Sequence, residues 1–123
     1  MLQRREGKDG SRDPKDPQAS LPLTPLTLQI LVTLAHEPLH GYAVVKEVRA
    51  ATDGRINPGT GTFYSAIHRM SEEGLIEEVD APEDGDGRRR YYAITSFGVE
   101  VLQAEAQRLD RVVAQARAAR PSS

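Results

Sequence analysis

"NPGTGTFYSAIHRMSEEGLIEEVDAPEDGDGRRRYYAIT" occupies residues 57–95, and the changes of period along it decide the fold. Asn57-Pro58-Gly59 is a turn signal. Phe63, Ile67 and Met70 then recur at helical spacing, and Gly74 ends the run. Thr60 carries the hydroxyl expected of an N-cap for this helix. "LIEEV" (75–79) and "RYYAIT" (90–95) read as two short strands. The polar stretch "DAPEDGDGR" between them is too long for a tight hairpin. The pattern is a helix followed by a hairpin with a long loop.

Upstream, "LTPLTLQILVTLA" (23–35) predicts an earlier helix. Thr24 suits the N-cap and Pro25 the first helical position. Leu23 and Leu28 stand where a hydrophobic staple would place them, and Leu26, Ile30, Leu31 and Leu34 form an apolar face. Pro38 disfavours helical geometry at Glu37, so this helix should end near His36. Another helix is expected from Gly41 to Thr52, with Val44, Val48 and Ala51 on one face and Asp53-Gly54 as its stop. A last helix should run from about Ser96 to about Ala118.

The order is helix, helix, helix, strand, loop, strand, helix. It predicts a mainly α fold with a small β-hairpin, laid out as a winged helix-turn-helix with a long C-terminal helix. That layout puts the third helix in the DNA major groove and the hairpin loop, the wing, against the backbone or minor groove. Three regions are expected: a disordered tail over 1–20, a winged helix-turn-helix over 21–95, and a dimerisation helix over 96–119. The tail is rich in Gly, Pro and Ser, and its five bases and four acids nearly balance. It has too little apolar surface to offset the entropy of ordering.

One string argues for another chemistry. His36-Glu37-Pro38-Leu39-His40 matches the H-E-x-x-H of zinc proteases. That site needs a continuous helix, so that positions i and i+4 share a face. Pro38 stands between the histidines, where it costs a helix roughly 3 kcal/mol. A protease zinc also needs a third protein ligand, and the remaining histidine, His68, falls on another helix. We therefore expect no metal, and a turn at this place. Asp84 and Asp86, with Gly85 and Gly87, are faintly like a calcium loop but lack its later ligands and terminal glutamate. No phosphate-binding glycine loop and no nucleophile elbow occur. No enzyme and no cofactor are expected.

Composition bounds the rest. The chain has 123 residues, 18 acids against 16 bases, and no cysteine. Absence of cysteine excludes disulfides and thiolate zinc, and fits a reducing cytoplasm. The charged start "MLQRREGKDG" is unlike a signal peptide, and no apolar run approaches the ~20 residues of a membrane span. The net charge of −2 gives no support to a polyanionic partner; its distribution says more, although a small basic stripe on an acidic body is a weaker signal than a basic domain. Arg88, Arg89 and Arg90 form a basic run, whereas acids gather at Glu72-Glu73, Glu77-Glu78 and Asp80 to Asp86. Local field governs such binding more than the total.

"HGYAVVKEV", "PGTGTFYSAIHRMSEEGLIEE" and "RRRYYAITSFGVEVL" resemble the PadR family of bacterial transcriptional regulators. The resemblance covers about residues 23–110. Its most specific parts are His-Gly-Tyr at 40–42, Gly-Thr-Phe-Tyr at 61–64, Glu-Gly-Leu-Ile at 73–76, and Arg-Tyr-Tyr-Ala-Ile-Thr at 90–95 followed by Gly98. It implies a winged helix with a C-terminal dimerisation helix, usually in a repressor and often one released by a small molecule. It also implies that Tyr64 approaches the DNA backbone. Many members carry a proline after that tyrosine; here it is Ser65, which makes base contacts harder to transfer. The chain resembles the short branch of the family, so a dedicated effector domain is not expected.

The expected DNA-contacting set is Thr60, Thr62, Tyr64, Ser65, His68 and Arg69 on the third helix, with Arg88, Arg89 and Arg90 on the wing. The front half of the third helix is free of acids and carries the positive end of the helix dipole. Strand alternation allows two of the three arginines to face DNA. Lys46 and Arg49 could add backbone contacts. Val99, Leu102, Ala106, Leu109, Val113 and Ala116 repeat at spacings of three and four, a heptad seam for a partner helix. The seam's first half could instead pack on the chain's own domain. The expected function is a cytoplasmic regulator binding a pseudo-palindromic operator in double-stranded DNA as a homodimer, with an effector that the residues do not identify. The competing expectation is a winged helix that binds protein, which the acidic surface permits.

Overall fold

The computed structural model describes residues 15–120. A 3₁₀ turn at Pro17–Ser20 precedes α1 (Pro25–His36), β1 (Leu39–His40), α2 (Gly41–Ala51), α3 (Thr60–Glu72), β2 (Ile76–Val79), β3 (Tyr91–Ile94) and α4 (Ser96–Ala118). Within the expected tail, the turn at Pro17–Ser20 thus has defined structure; residues 1–14 lie outside the described residues.

Helix α1 forms as its sequence dictates. Thr24 caps it, its hydroxyl accepting the Thr27 N–H, and Pro25 opens the first turn. Glu37 ahead of Pro38 is fully extended, at φ −171° and ψ 158°, and the helix stops there. Helix α3 departs from expectation at its start. Gly59 is the N-cap and offers no side-chain bond, while Thr60 is already helical. Its far end closes tightly: Leu75 N–H bonds the Met70 carbonyl and Gly74 N–H that of Ser71, with Gly74 at φ 79°. This is the Schellman arrangement, for which glycine is the favoured residue.

The expected two-stranded hairpin is in fact a three-stranded antiparallel sheet, in the order β1-β3-β2. Ile76 lies opposite Ile94 and Val79 opposite Tyr91. Leu39 and His40, expected in a turn, pair with Tyr92 and Tyr91 on the other side of β3. The string that resembles a zinc motif is therefore split between a helix end and a strand. His36 closes α1, and His40 leaves β1 to cap α2, its Nδ1 accepting the Ala43 N–H at 3.2 Å.

The four helices and the sheet enclose one core. Ile30, Leu31 and Leu34 from α1 meet Val44 and Val48 from α2, and Phe63 and Met70 from α3. Leu75 and Ile76, at the start of β2, and Val101 from α4 complete it. Full burial of such side chains contributes roughly 1.5–3 kcal/mol each, which explains why this face fixes the fold.

Helix α4 is capped by Thr95, whose hydroxyl accepts the Gly98 N–H and itself lies 2.6 Å from the Gly74 carbonyl. Its home face is Gly98, Val101, Ala104 and Glu105. The expected seam is mostly rotated away from that face: Val99, Ala106, Val113 and Ala116 are exposed, and Leu102 and Leu109 half-buried. Glu105 is fully buried. Arg108 bonds both its carboxylate oxygens, and the Leu23 N–H adds another bond. The Arg108 guanidinium and then the Leu23 amide hold the Glu105 carboxyl below the usual carboxylate range, against the opposing effect of burial. Among the described residues no helix is long and apolar enough to cross a membrane.

Candidate nucleic-acid interface

His40, Gly41 and Tyr42 form a joint between sheet, helix and wing. The His40 ring meets Tyr91 edge-on at 5.4 Å between centroids and lies parallel to Tyr42 at 6.4 Å. Gly41 opens α2, and the Tyr64 hydroxyl from α3 is packed against it. A Cβ at position 41 would stand 2.5 Å from that oxygen. Only a residue without a side chain lets α3 bring Tyr64 this close to the start of α2. Tyr64 also meets Phe63 edge-on, with 5.0 Å between ring centroids.

The wing comes to the same point. Two turns shape it, closed by Gly85 N–H on the Pro82 carbonyl and Arg89 N–H on that of Asp86. The Asp86 N–H bonds the Tyr91 hydroxyl at 3.0 Å, which fastens the wing to β3. The Asp86 carboxylate pairs with Arg88 at 3.3 Å and Arg89 at 3.4 Å. The Arg88 N–H, then its guanidinium, lower the Asp86 carboxyl below its ordinary range, with a further contribution from Arg89. Arg89 also lies over the Tyr42 ring at 5.8 Å and within 3.5 Å of His40 Nδ1. Burial, then Arg89, disfavours a charge on His40, and Asp86 opposes this weakly. The neutral ring also suits the capping bond, because only an unprotonated Nδ1 can accept the Ala43 N–H.

These elements enclose an open cleft of about 450 Å³, lined by His40, Gly41, Tyr42, Tyr64, Arg89, Arg90 and Tyr92. Of the expected residues, Tyr64, Arg89 and Arg90 are gathered here. Tyr92 is its buried floor, and burial raises its hydroxyl above the usual tyrosine range. Arg88 is directed outward, its side chain 92 % exposed. Thr60, Thr62 and Ser65 are exposed on α3 beside the cleft, with no acid in the first turn. His68 and Arg69 stand further along. His68 lies 3.7 Å from Glu72, and the Arg69 guanidinium bonds the Thr27 hydroxyl at 3.3 Å, at the start of α1. Lys46 and Arg49 are exposed on α2.

Sequence reasoning does not place His40, Tyr42 or Tyr92 in the site. The His-Gly-Tyr string is the signal that could have found them, but in the sequence it marks only a family and shows no structural role. The cleft itself offers a planar aromatic rim, two guanidinium groups and tyrosine hydroxyls. That set suits an anion carried on a sugar or aromatic frame.

Comparison with known proteins identifies the fold's relatives. Residues 30–104 match the model of the transcriptional regulator PadR-like family. A PadR-like transcriptional regulator from Bacillus cereus superposes with a TM-score of 0.65 at 28% identity, over 75% of this chain and 87% of that one. A PadR family regulator from Clostridium difficile gives 0.61 at 26% identity, over 75% and 97%. Among sequences, a protein of unassigned role encoded in a Streptomyces fradiae transposon is 32% identical over 83 residues. The transcriptional regulator YqjI of Escherichia coli is 25% identical over 87 residues. The alignments take in 68% and 71% of this chain but only 22% and 40% of those two relatives, so the chain spans a minor part of their length. The family and its solved members are regulators, not enzymes. With more than half of its residues inside the family model, and four helices around a small antiparallel sheet, the chain belongs to the PadR-like family of transcriptional regulators.

Proposed function

We propose that the chain binds operator DNA as a cytoplasmic homodimer and acts as a repressor. Helix α3 enters the major groove, with Thr60, Thr62, Ser65, His68 and Arg69 toward base edges and phosphates. Tyr64 and the wing arginines Arg88, Arg89 and Arg90 take the backbone or minor groove. The observation that carries this reading is the cleft that joins Tyr64 to Arg89 and Arg90 beside the acid-free front of α3. Arg69 reaches a base only by leaving Thr27. The dimer forms through the exposed part of α4, where Val112 and Val113 are 43% and 44% exposed and Leu109 half-buried. A small-molecule effector would act by releasing the complex. The acids at Glu77, Glu78 and Glu83, exposed beside the wing, favour a second reading in which this face binds a basic protein segment.

A salt titration separates the two. Every phosphate that the protein ceases to neutralise should reduce the slope of log affinity against log salt by roughly 0.9. Replacing Arg88, Arg89 and Arg90 together by alanine should weaken binding to every duplex and lower the slope by about two or more in a dimer. A slope equal to that of the unaltered chain would show that the wing touches no phosphate. No binding to random duplex at low salt would favour the protein-binding reading.

A further inference from the structure

The segment ahead of α1 lies outside the residues that match the family model, which begin at 30. It is nevertheless tied into the domain at both ends. At one end, Lys15 Nζ donates to the Glu73 carbonyl at 2.9 Å, at the C-terminus of α3, where the helix dipole favours a cation. The same ammonium lies 5.4 Å from the centre of the Phe97 ring, at the start of α4. The 3₁₀ turn that follows packs along α4 and is fixed by Asp16, which accepts the Gln18 N–H. At the other end, Leu23 N–H donates to the fully buried carboxylate of Glu105. A buried charge is tolerated only when its partners are in place, so Glu105 holds this segment firmly.

The segment therefore bridges the end of α3 and the first half of α4. In the dimer, α3 reads one half-site while α4 fixes the two-fold axis. The angle between these helices sets the separation of the two reading helices, about 34–36 Å for half-sites one turn apart. We propose that residues 15–23 form a strap that fixes half-site spacing, so that this chain selects operators by distance as well as by base. The proposal rests on the dimeric DNA reading above.

The test uses the full chain. A bound duplex is first selected from a random pool. Its central spacer is then lengthened or shortened by one and two base pairs, each step being about 3.4 Å. Binding is followed by fluorescence anisotropy. Lys15→Ala with Asp16→Ala unties the α3 end, and both side chains are exposed, so the fold is not at stake. Glu105→Gln loosens the α4 end. The unaltered chain should lose roughly tenfold or more in affinity on a two-base-pair change, the size of a single mismatch penalty. The strap variants should bind the parent duplex within about threefold and discriminate spacers by less than about threefold, on the same scale. Hydrogen exchange at the Leu23 and Glu73 to Leu75 amides should rise in parallel. Variants that discriminate spacers as sharply as the unaltered chain would overturn the proposal, as would an unaltered chain indifferent to spacing. Should Glu105→Gln fail to fold, the exposed pair still decides. Failure of the DNA reading shows itself earlier, as the absence of any duplex enriched by the unaltered chain.

Discussion

The two ends of α3 are built to opposite specifications. Its C-terminal end is secured by the Schellman closure at Gly74, by Lys15 on the Glu73 carbonyl, and by Arg69 on Thr27. Its N-terminal end has a glycine cap with no side-chain bond, exposed Thr60, Thr62 and Ser65, and no acid in the first turn. The first N–H groups of a helix need partners, and here no side chain of the cap supplies one. One end holds and the other is left for water or a ligand. The difference teaches that the half of a helix left open to a ligand is recognisable by what has been withheld from it, not only by the side chains it presents.

The largest expected effect breaks the holding end. Met70 is fully buried, and Met70→Ala should cost about 2–5 kcal/mol of stability, measured by urea denaturation. Ser65→Ala, at the exposed front, should stay within about 0.5 kcal/mol of the unaltered chain in the same experiment, while its effect is felt in DNA binding. Equal destabilisation by the two would erase the contrast.

A smaller effect sharpens the reading end. Gly41→Ala puts a methyl group against the Tyr64 hydroxyl, 2.5 Å away before any adjustment. DNA affinity should fall, and thermal stability should fall modestly with it, because the same methyl group stands 3.2 Å from the buried Phe63 ring. Tyr64→Phe removes the clashing oxygen together with a proposed DNA contact, so the double variant should bind less weakly than the sum of the two single losses predicts. A coupling of about 0.5–3 kcal/mol in that double-mutant cycle would locate the effect at this contact, and strict additivity would remove it.

The smallest effect is a pH dependence at the joint. Burial and then Arg89 disfavour the charged His40 ring, so its ionisation lies lower in the folded than in the unfolded chain. The stability this contributes is complete above the unfolded histidine value of about 6.5 and is lost as the pH falls through the lower folded one. Denaturation midpoints should therefore decline below about pH 6.5 more steeply than in His40→Asn, which caps α2 without titrating. Parallel curves for the two would assign the slope to other groups.

Much of this architecture is legible in the sequence, and the failures have physical causes. Helices α1, α2, α3 and α4 announce themselves because their apolar faces repeat locally, as Phe63, Ile67 and Met70 do. Strand β1 does not, because two residues carry no period and their partners Tyr91 and Tyr92 are remote in the chain. The site divides in the same way. Tyr64, Arg89 and Arg90 are visible as residue types suited to DNA, but the joint of His40, Gly41 and Tyr42 exists only after β1 has docked. The engagement of Arg69 with Thr27 is equally a product of the fold. The Gly59 cap shows the weakness of reading an N-cap from residue type, since Thr60 is the better candidate by chemistry.

The sheet order has a consequence for how the chain folds. Strands β2 and β3 are joined by the wing alone, so Ile76 and Ile94 meet once the loop of residues 80–90 closes. Leu39 must find Tyr92 across α2, α3 and the wing, a much longer closure with a larger entropy cost. Closure entropy therefore favours the hairpin forming before β1 docks with His40 attached. Because the cleft needs β1 in place, loop-closure entropy predicts that it forms after the hairpin. A local opening that lifted β1 from the sheet would take the cleft apart with it.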